Sequence, residues 1–150
     1  MILPIVAYGD LSLRRPTREI EPEHPNLSEF IQNMWDTMYQ ASGVGLAAPQ
    51  VGASIRLFVV DGSSFADEDL EMEHFKHVFI NPEILEEEGK EWAFNEGCLS
   101  IPGIREDVQR KPRVLLAWDN EKFEPQEAWF EGMAARIIQH EYDHLEGILF

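Results

Sequence analysis

The sequence predicts an α+β fold in which a mainly antiparallel β-sheet packs against a C-terminal helix, with a second helix near the N-terminus. Two observations lead there. Short β-rich runs are confined to the middle of the chain, and helical periodicity is confined to its two ends. That segregation marks an α+β fold rather than alternating βαβ units. The 150 residues are 44% hydrophobic, and no repeat, low-complexity tract or Gly/Ser linker divides them, so 1–150 is expected to form one domain.

The first helix is expected over 26–42. Leu27, Phe30, Ile31, Met34, Met38 and Tyr39 recur at helical spacing, with Asn26 as N-cap, Glu29 three residues on, and Gly43 as the stop. Residues 56–61 (RLFVVD) and 77–80 (HVFI) read as strands, the second closed by Asn81-Pro82. The acidic stretch between them, 62–76, is expected to be a surface loop. Two further strands, 113–118 (RVLLAW) and 127–130, flank the turn-like Asp119-Asn120. The last helix is expected over 133–145, rich in Ala and long side chains, with Gly147 as its C-terminal stop.

Charge and length narrow the function. The net charge of −16 repels nucleic-acid phosphates, so no nucleic-acid binding is expected, and the acidic runs at 67–73 and 86–88 read as solvated surface. No apolar run approaches the roughly 18 residues of a membrane span. The start, MILPIVAYGDLSLRR, lacks a basic leader and a cleavage pattern, so a cytoplasmic location is expected. The one cysteine, Cys98, excludes an internal disulfide. By itself it could be a small buried hydrophobe, a nucleophile or a metal ligand.

The sharpest chemical signal is His140-Glu141-Tyr142-Asp143-His144 on the expected last helix. Residues four apart differ by about 40° around a helix, so both imidazoles can share one metal ion. Glu141 lies close enough to that face to reach a water on the ion without being a ligand. A catalytic site needs a third protein ligand and an open position. Cys98, His24, His74, His77 and many acids are candidates, and the three histidines sit in polar or turn-like sequence that reads as surface. Cys98 lies in Glu96-Gly97-Cys98-Leu99-Ser100, where Gly97 loosens the backbone and the Leu99 N–H could enter the same site. A third segment, 43–50 (GVGLAAPQ), formally fits the dinucleotide fingerprint G-x-G-x-x-A. That fingerprint needs a strand before it and a helix after it. Here a helix precedes and Pro49 follows, which leaves an apolar, Gly-rich loop able to approach an extended ligand, with Gln50 as an amide donor.

Taken together, GVGLAAPQ (43–50), EGCLS (96–100) and HEYDH (140–144) resemble the three signature motifs of the peptide deformylase family, in the same order and with similar separations. The resemblance implies a single catalytic domain that removes the N-formyl group from formyl-methionyl nascent peptides and releases formate. It implies Cys98, His140 and His144 as metal ligands, Glu141 as general acid/base, and Gln50 with the Leu99 N–H as oxyanion donors. Val44, Gly45, Glu96, Gly97, Arg105, Met133 and Ile137 would contact the substrate. The implied cofactor is one divalent ion, Fe²⁺ first, with Zn²⁺, Ni²⁺ or Co²⁺ as substitutes. Family members usually carry a further C-terminal segment, in some cases one that docks on the ribosome. This chain ends six residues after His144, so at most a transient ribosome contact is expected. Two rival readings share the motif: an H-E-x-x-H protease cutting internal bonds, and a structural metal module. The first usually takes a His or Glu as third ligand, and the second needs four protein ligands.

Overall fold

The computed structural model describes residues 1–7, 9–67, 70–100 and 104–148. In chain order they form α1 (Leu27–Gln40), β1 (Gly45–Ala47), β2 (Leu57–Asp61), β3 (Lys76–Glu88), β4 (Trp92–Gly97), β5 (Arg105–Arg110), β6 (Arg113–Asp119), β7 (Pro125–Glu131) and α2 (Gly132–Leu145). Five strands make an antiparallel sheet in the order β1-β2-β3-β6-β7, and β4 and β5 pair separately as an antiparallel hairpin. The expected α+β class with a C-terminal helix is what forms. No described helix is long and apolar enough to cross a membrane.

The sheet's centre is apolar on both faces because a helix covers each. On β2, Leu57 and Val59 join Ile31, Met34 and Met38 of α1, while Phe58 and Val60 join Ala135, Ile138 and Leu145 of α2. Successive strand residues point to opposite faces, so an unbroken apolar run is required where both faces are covered.

Several expectations change in detail. Asn26 stands at the α1 N-cap in a left-handed conformation (φ 57°) and makes no side-chain cap bond. The helix stops at Gln40, and Ser42 rather than Gly43 takes the positive φ that turns the chain. Gly43 matters by closeness: a Cβ there would stand 2.8 Å from Leu99 Cδ1. Trp35 replaces Tyr39 in the buried stripe, and Tyr39 lies near the surface with its hydroxyl donating to Asp61 Oδ2 at 2.7 Å. Asn81-Pro82 does not close the strand at 80. β3 continues to Glu88 through a register shift between Ile80 and Glu83. Asn81, at φ 50°, accepts from the Ile20 N–H at 2.7 Å and donates to Ile20 O at 2.8 Å, so the side chain at the bulge ties down the N-terminal segment. The 62–76 segment is more than surface loop, since Met72 and Phe75 plug the core beside α2. The β4–β5 hairpin was not expected at all.

Candidate active site

α2 begins directly after β7, and Gly132, at φ +59°, makes the turn between them. The helix then brings His140 and His144 to adjacent turns of one face, with Nε2 atoms 3.2 Å apart. Cys98 follows the end of β4, and its Sγ is 3.6 Å from His144 Nε2. The three candidate ligand atoms all lie within 4.8 Å of one another, and all three residues are buried. With bond lengths of about 2.3 Å to sulfur and about 2.05 Å to nitrogen, a tetrahedral ion would set S···N near 3.6 Å and N···N near 3.3 Å. The donor set fits one such ion.

The outer ring nitrogens fix the tautomers. His144 Nδ1 lies 3.0 Å from Ile148 O, an acceptor only, so Nδ1 carries the proton and Nε2 keeps its lone pair. His140 Nδ1 lies 2.7 Å from Glu96 Oε1 and is directed in the same way. Glu96 is itself gripped. Arg110 donates to its two oxygens at 2.8 and 2.9 Å, Arg136 donates to Oε2, and Arg110 also reaches Asp143 Oδ2 at 2.8 Å. Burial alone would raise the Glu96 pKa, but bonds from His140 and Arg110 pull it down to about 2. Burial opposes charge on His140, yet Cys98, Glu96 and Glu141 carry its pKa up to about 10, whereas burial and the His140 charge take His144 down to about 3. An ion held here would compete with any proton on the inner nitrogens of these rings.

Glu141 sits between the rings and β1. A Cβ on Gly45 would fall 2.6 Å from Glu141 Oε2, so only a glycine lets the strand pass this close. Glu141 is 4% exposed, and among the described residues its Oε1 has no hydrogen-bond partner. Burial pushes its pKa up to about 7, against the pull of His140 and Arg110. Gln50 is oriented by its own loop: its Oε1 accepts from the Ala47 N–H at 2.9 Å, which turns Nε2 toward Cys98 Sγ at 3.5 Å and Ser100 Oγ at 3.4 Å.

A cavity of about 580 Å³ opens onto this cluster. Val44, Gly45, Gln50, Glu96, Gly97, Cys98, Leu99, Arg105, Met133, Ile137, His140 and Glu141 all line it, and buried His144 completes the candidate ligand group. Of the other histidines, His74 is exposed and His24 half-buried. His77 is not a surface residue: it packs among Phe75, Phe79, Trp118 and Phe130, and burial lowers its pKa. Sequence reasoning missed Arg110, Arg136 and Asp143. Arg136, one helical turn before His140 and 2% exposed, carried a faint signal as a charge in line with the motif histidine. Arg110 carried none.

The comparisons with known proteins come out on one side. The family model described as polypeptide deformylase matches residues 2–150. The peptide deformylase of Christiangramia forsetii is 54% identical over 157 residues, and that of Flavobacterium johnsoniae 56%, each alignment covering 100% of this chain and 80% of the relative. Among solved structures, peptide deformylase from Thermotoga maritima superposes with a TM-score of 0.89 at 40% identity, covering 99% of this chain and 95% of that one. A peptide deformylase from Synechococcus elongatus in complex with actinonin gives 0.88 at 41% identity, covering 99% and 78%.

Proposed function

Because the chain belongs to the polypeptide deformylase family, we propose that its cavity removes the N-formyl group from formyl-methionyl nascent peptides with Cys98, His140 and His144 holding the ion the reaction uses. The observation that carries this reading is the convergence of one sulfur and two ring nitrogens within 4.8 Å, at a cavity whose wall also carries Glu141. The enzyme is a hydrolase of a metal-dependent family. A thiolate with two imidazoles suits Fe²⁺, Zn²⁺, Ni²⁺ or Co²⁺ over Mg²⁺ or Ca²⁺, and Fe²⁺ is our assignment for the cell. Bound there, such an ion supplies Lewis acidity and lowers the pKa of a water molecule from 15.7 to about 7.

The chain's own residues do the rest. Glu141, with a pKa near neutrality, takes a proton from the attacking water and delivers it to the leaving amine. Gln50 Nε2, held toward the ligand cluster by the Ala47 N–H, meets the formyl oxygen as charge grows on it, together with the Leu99 N–H. Val44, Met133 and Ile137 give the methionine side chain an apolar wall, Gly45 and Gly97 let the peptide backbone approach, and Arg105 grips it at the mouth. We assign Glu96 to holding His140 rather than to touching substrate, since Arg110, Arg136 and His140 occupy both of its oxygens.

Residues 1–150 act as one catalytic domain in this reading, working in the cytoplasm, with any ribosome contact transient. The net charge of −16 speaks against direct binding to nucleic acid. The test is formate release from a formyl-Met peptide by metal-loaded protein. Wild type should turn it over, and Glu141→Ala should keep its metal while losing about 10²–10⁴-fold in kcat. Near-normal turnover by Glu141→Ala would remove Glu141 from the mechanism.

A further inference from the structure

The β4–β5 hairpin carries a cross-strand ladder beside the cavity. Its register pairs Asn95 with Asp107 and Gly97 with Arg105, two rungs apart, so the four residues share one face. Arg105 donates from Nε to Asn95 Oδ1 at 2.6 Å and from Nη2 to Asn95 O at 2.8 Å. Asn95 donates from Nδ2 to Asp107 Oδ1 at 3.2 Å. That last bond sets which way the amide points, nitrogen toward Asp107 and oxygen toward Arg105.

The planar guanidinium is thereby held at two of its three nitrogens. The third, Nη1, passes over Gly97, where a Cβ would stand only 2.8 Å from it. Among the described residues, Nη1 has no hydrogen-bond acceptor, and Asn95, Gly97 and Arg105 all line the cavity. The cavity's other guanidinium, on Arg136, is committed to Glu96, Val108 O and Trp92 O.

We propose that Asn95 is a positioning residue: it fixes Arg105 so that Nη1 faces a backbone carbonyl oxygen of the peptide beyond its first residue. A neutral carbonyl fits better than a carboxylate, because Asp107 sits in the same ladder and the protein is strongly acidic. The inference rests on reading the cavity as a peptide site.

The experiment is steady-state formate release by metal-loaded wild type, Asn95→Ala, Asn95→Asp, Arg105→Ala and the Asn95→Ala/Arg105→Ala pair, on formyl-Met-Ala-Ser and on formyl-Met amide. Asn95→Ala should raise KM for the tripeptide about 3–10-fold at unchanged kcat, the size of one lost hydrogen bond. The pair should be no worse than Arg105→Ala alone. Asn95→Asp keeps the acceptor for Arg105 but sets a second carboxylate against Asp107, so it should recover only part of the KM. The Asn95→Ala penalty should vanish on formyl-Met amide, which lacks the downstream carbonyl. An unchanged tripeptide KM, additive effects in the pair, or a fall in kcat in place of KM would overturn the proposal. Failure of wild type to release formate from either substrate would instead overturn the underlying reading, and this one with it.

Discussion

The two β regions are held to the same helix by opposite means. The five-stranded sheet meets α2 through hydrocarbon: Phe58, Val60, Phe79 and Leu116 pack on Ala135, Ile138 and Leu145. The β4–β5 hairpin meets α2 through charge: Glu96 of β4 and Arg110 of β5 join Arg136, His140 and Asp143 of the helix. The first contact is non-directional and tolerates small shifts, whereas the second depends on orientation at every bond. The proposed ligand from the hairpin, Cys98, lies two residues beyond Glu96, so the directional joint is the one that sets sulfur against the rings. Hydrophobic packing makes the scaffold here, and a buried ion-pair cluster aims the site.

Substitutions can break that contrast, beginning with the largest expected effect. Glu96→Ala should leave Arg110 and Arg136 buried without their carboxylate, costing about 3–5 kcal/mol in denaturant unfolding. It should also weaken metal retention about 10–100-fold, because His140 loses the acceptor that orients it. Phe58→Ala, in the sheet, should cost about 3 kcal/mol by cavity formation yet leave metal content per folded molecule intact. Equal metal loss in the two variants would erase the distinction. Gly45→Ala tests the sheet's side of the site, since the new methyl must displace Glu141. A shift of that kind should lower kcat about 10²-fold with little change in thermal midpoint.

The smallest effect belongs to Tyr39 and Asp61, neither of which lines the cavity. Burial would raise the Asp61 pKa, but hydrogen bonds from Tyr39 and Ser63 and the nearby Lys76 hold it below the usual value. A carboxyl depressed on folding stabilises above its unfolded pKa, and that stability is lost as pH falls through the folded value. Tyr39 is 47% exposed, so solvent screening keeps the contribution under about 1 kcal/mol. Tyr39→Phe should reduce the acid sensitivity of unfolding slightly and leave formate release alone.

The same contrast explains what the sequence could reveal. β2 and β6 were legible because apolar runs such as LFVVD and RVLLAW reflect burial by hydrocarbon. The hairpin was not: β5 reads REDVQR, with Val108 as its one apolar residue, and its buried end is Arg110, held by ion pairs to Glu96 and Asp143. β3 was cut short at Asn81-Pro82 because the side-chain bonds of Asn81 to Ile20 are long-range and leave no local trace. The candidate site was proposed from local sequence. Its residues cluster in three short motifs whose spacing follows from a helical turn or from contiguous loop backbone. The arginines behind it were hidden because a buried Arg is recognisable only through its partner, and Glu96 lies 14 residues from Arg110 and 40 from Arg136.

X-ray absorption at the metal edge of the loaded protein tests the central claim most directly. The account predicts one sulfur at about 2.3 Å and two imidazole nitrogens at about 2.0–2.1 Å, with the sulfur shell gone in Cys98→Ser. A shell of nitrogen and oxygen alone in wild type would contradict it.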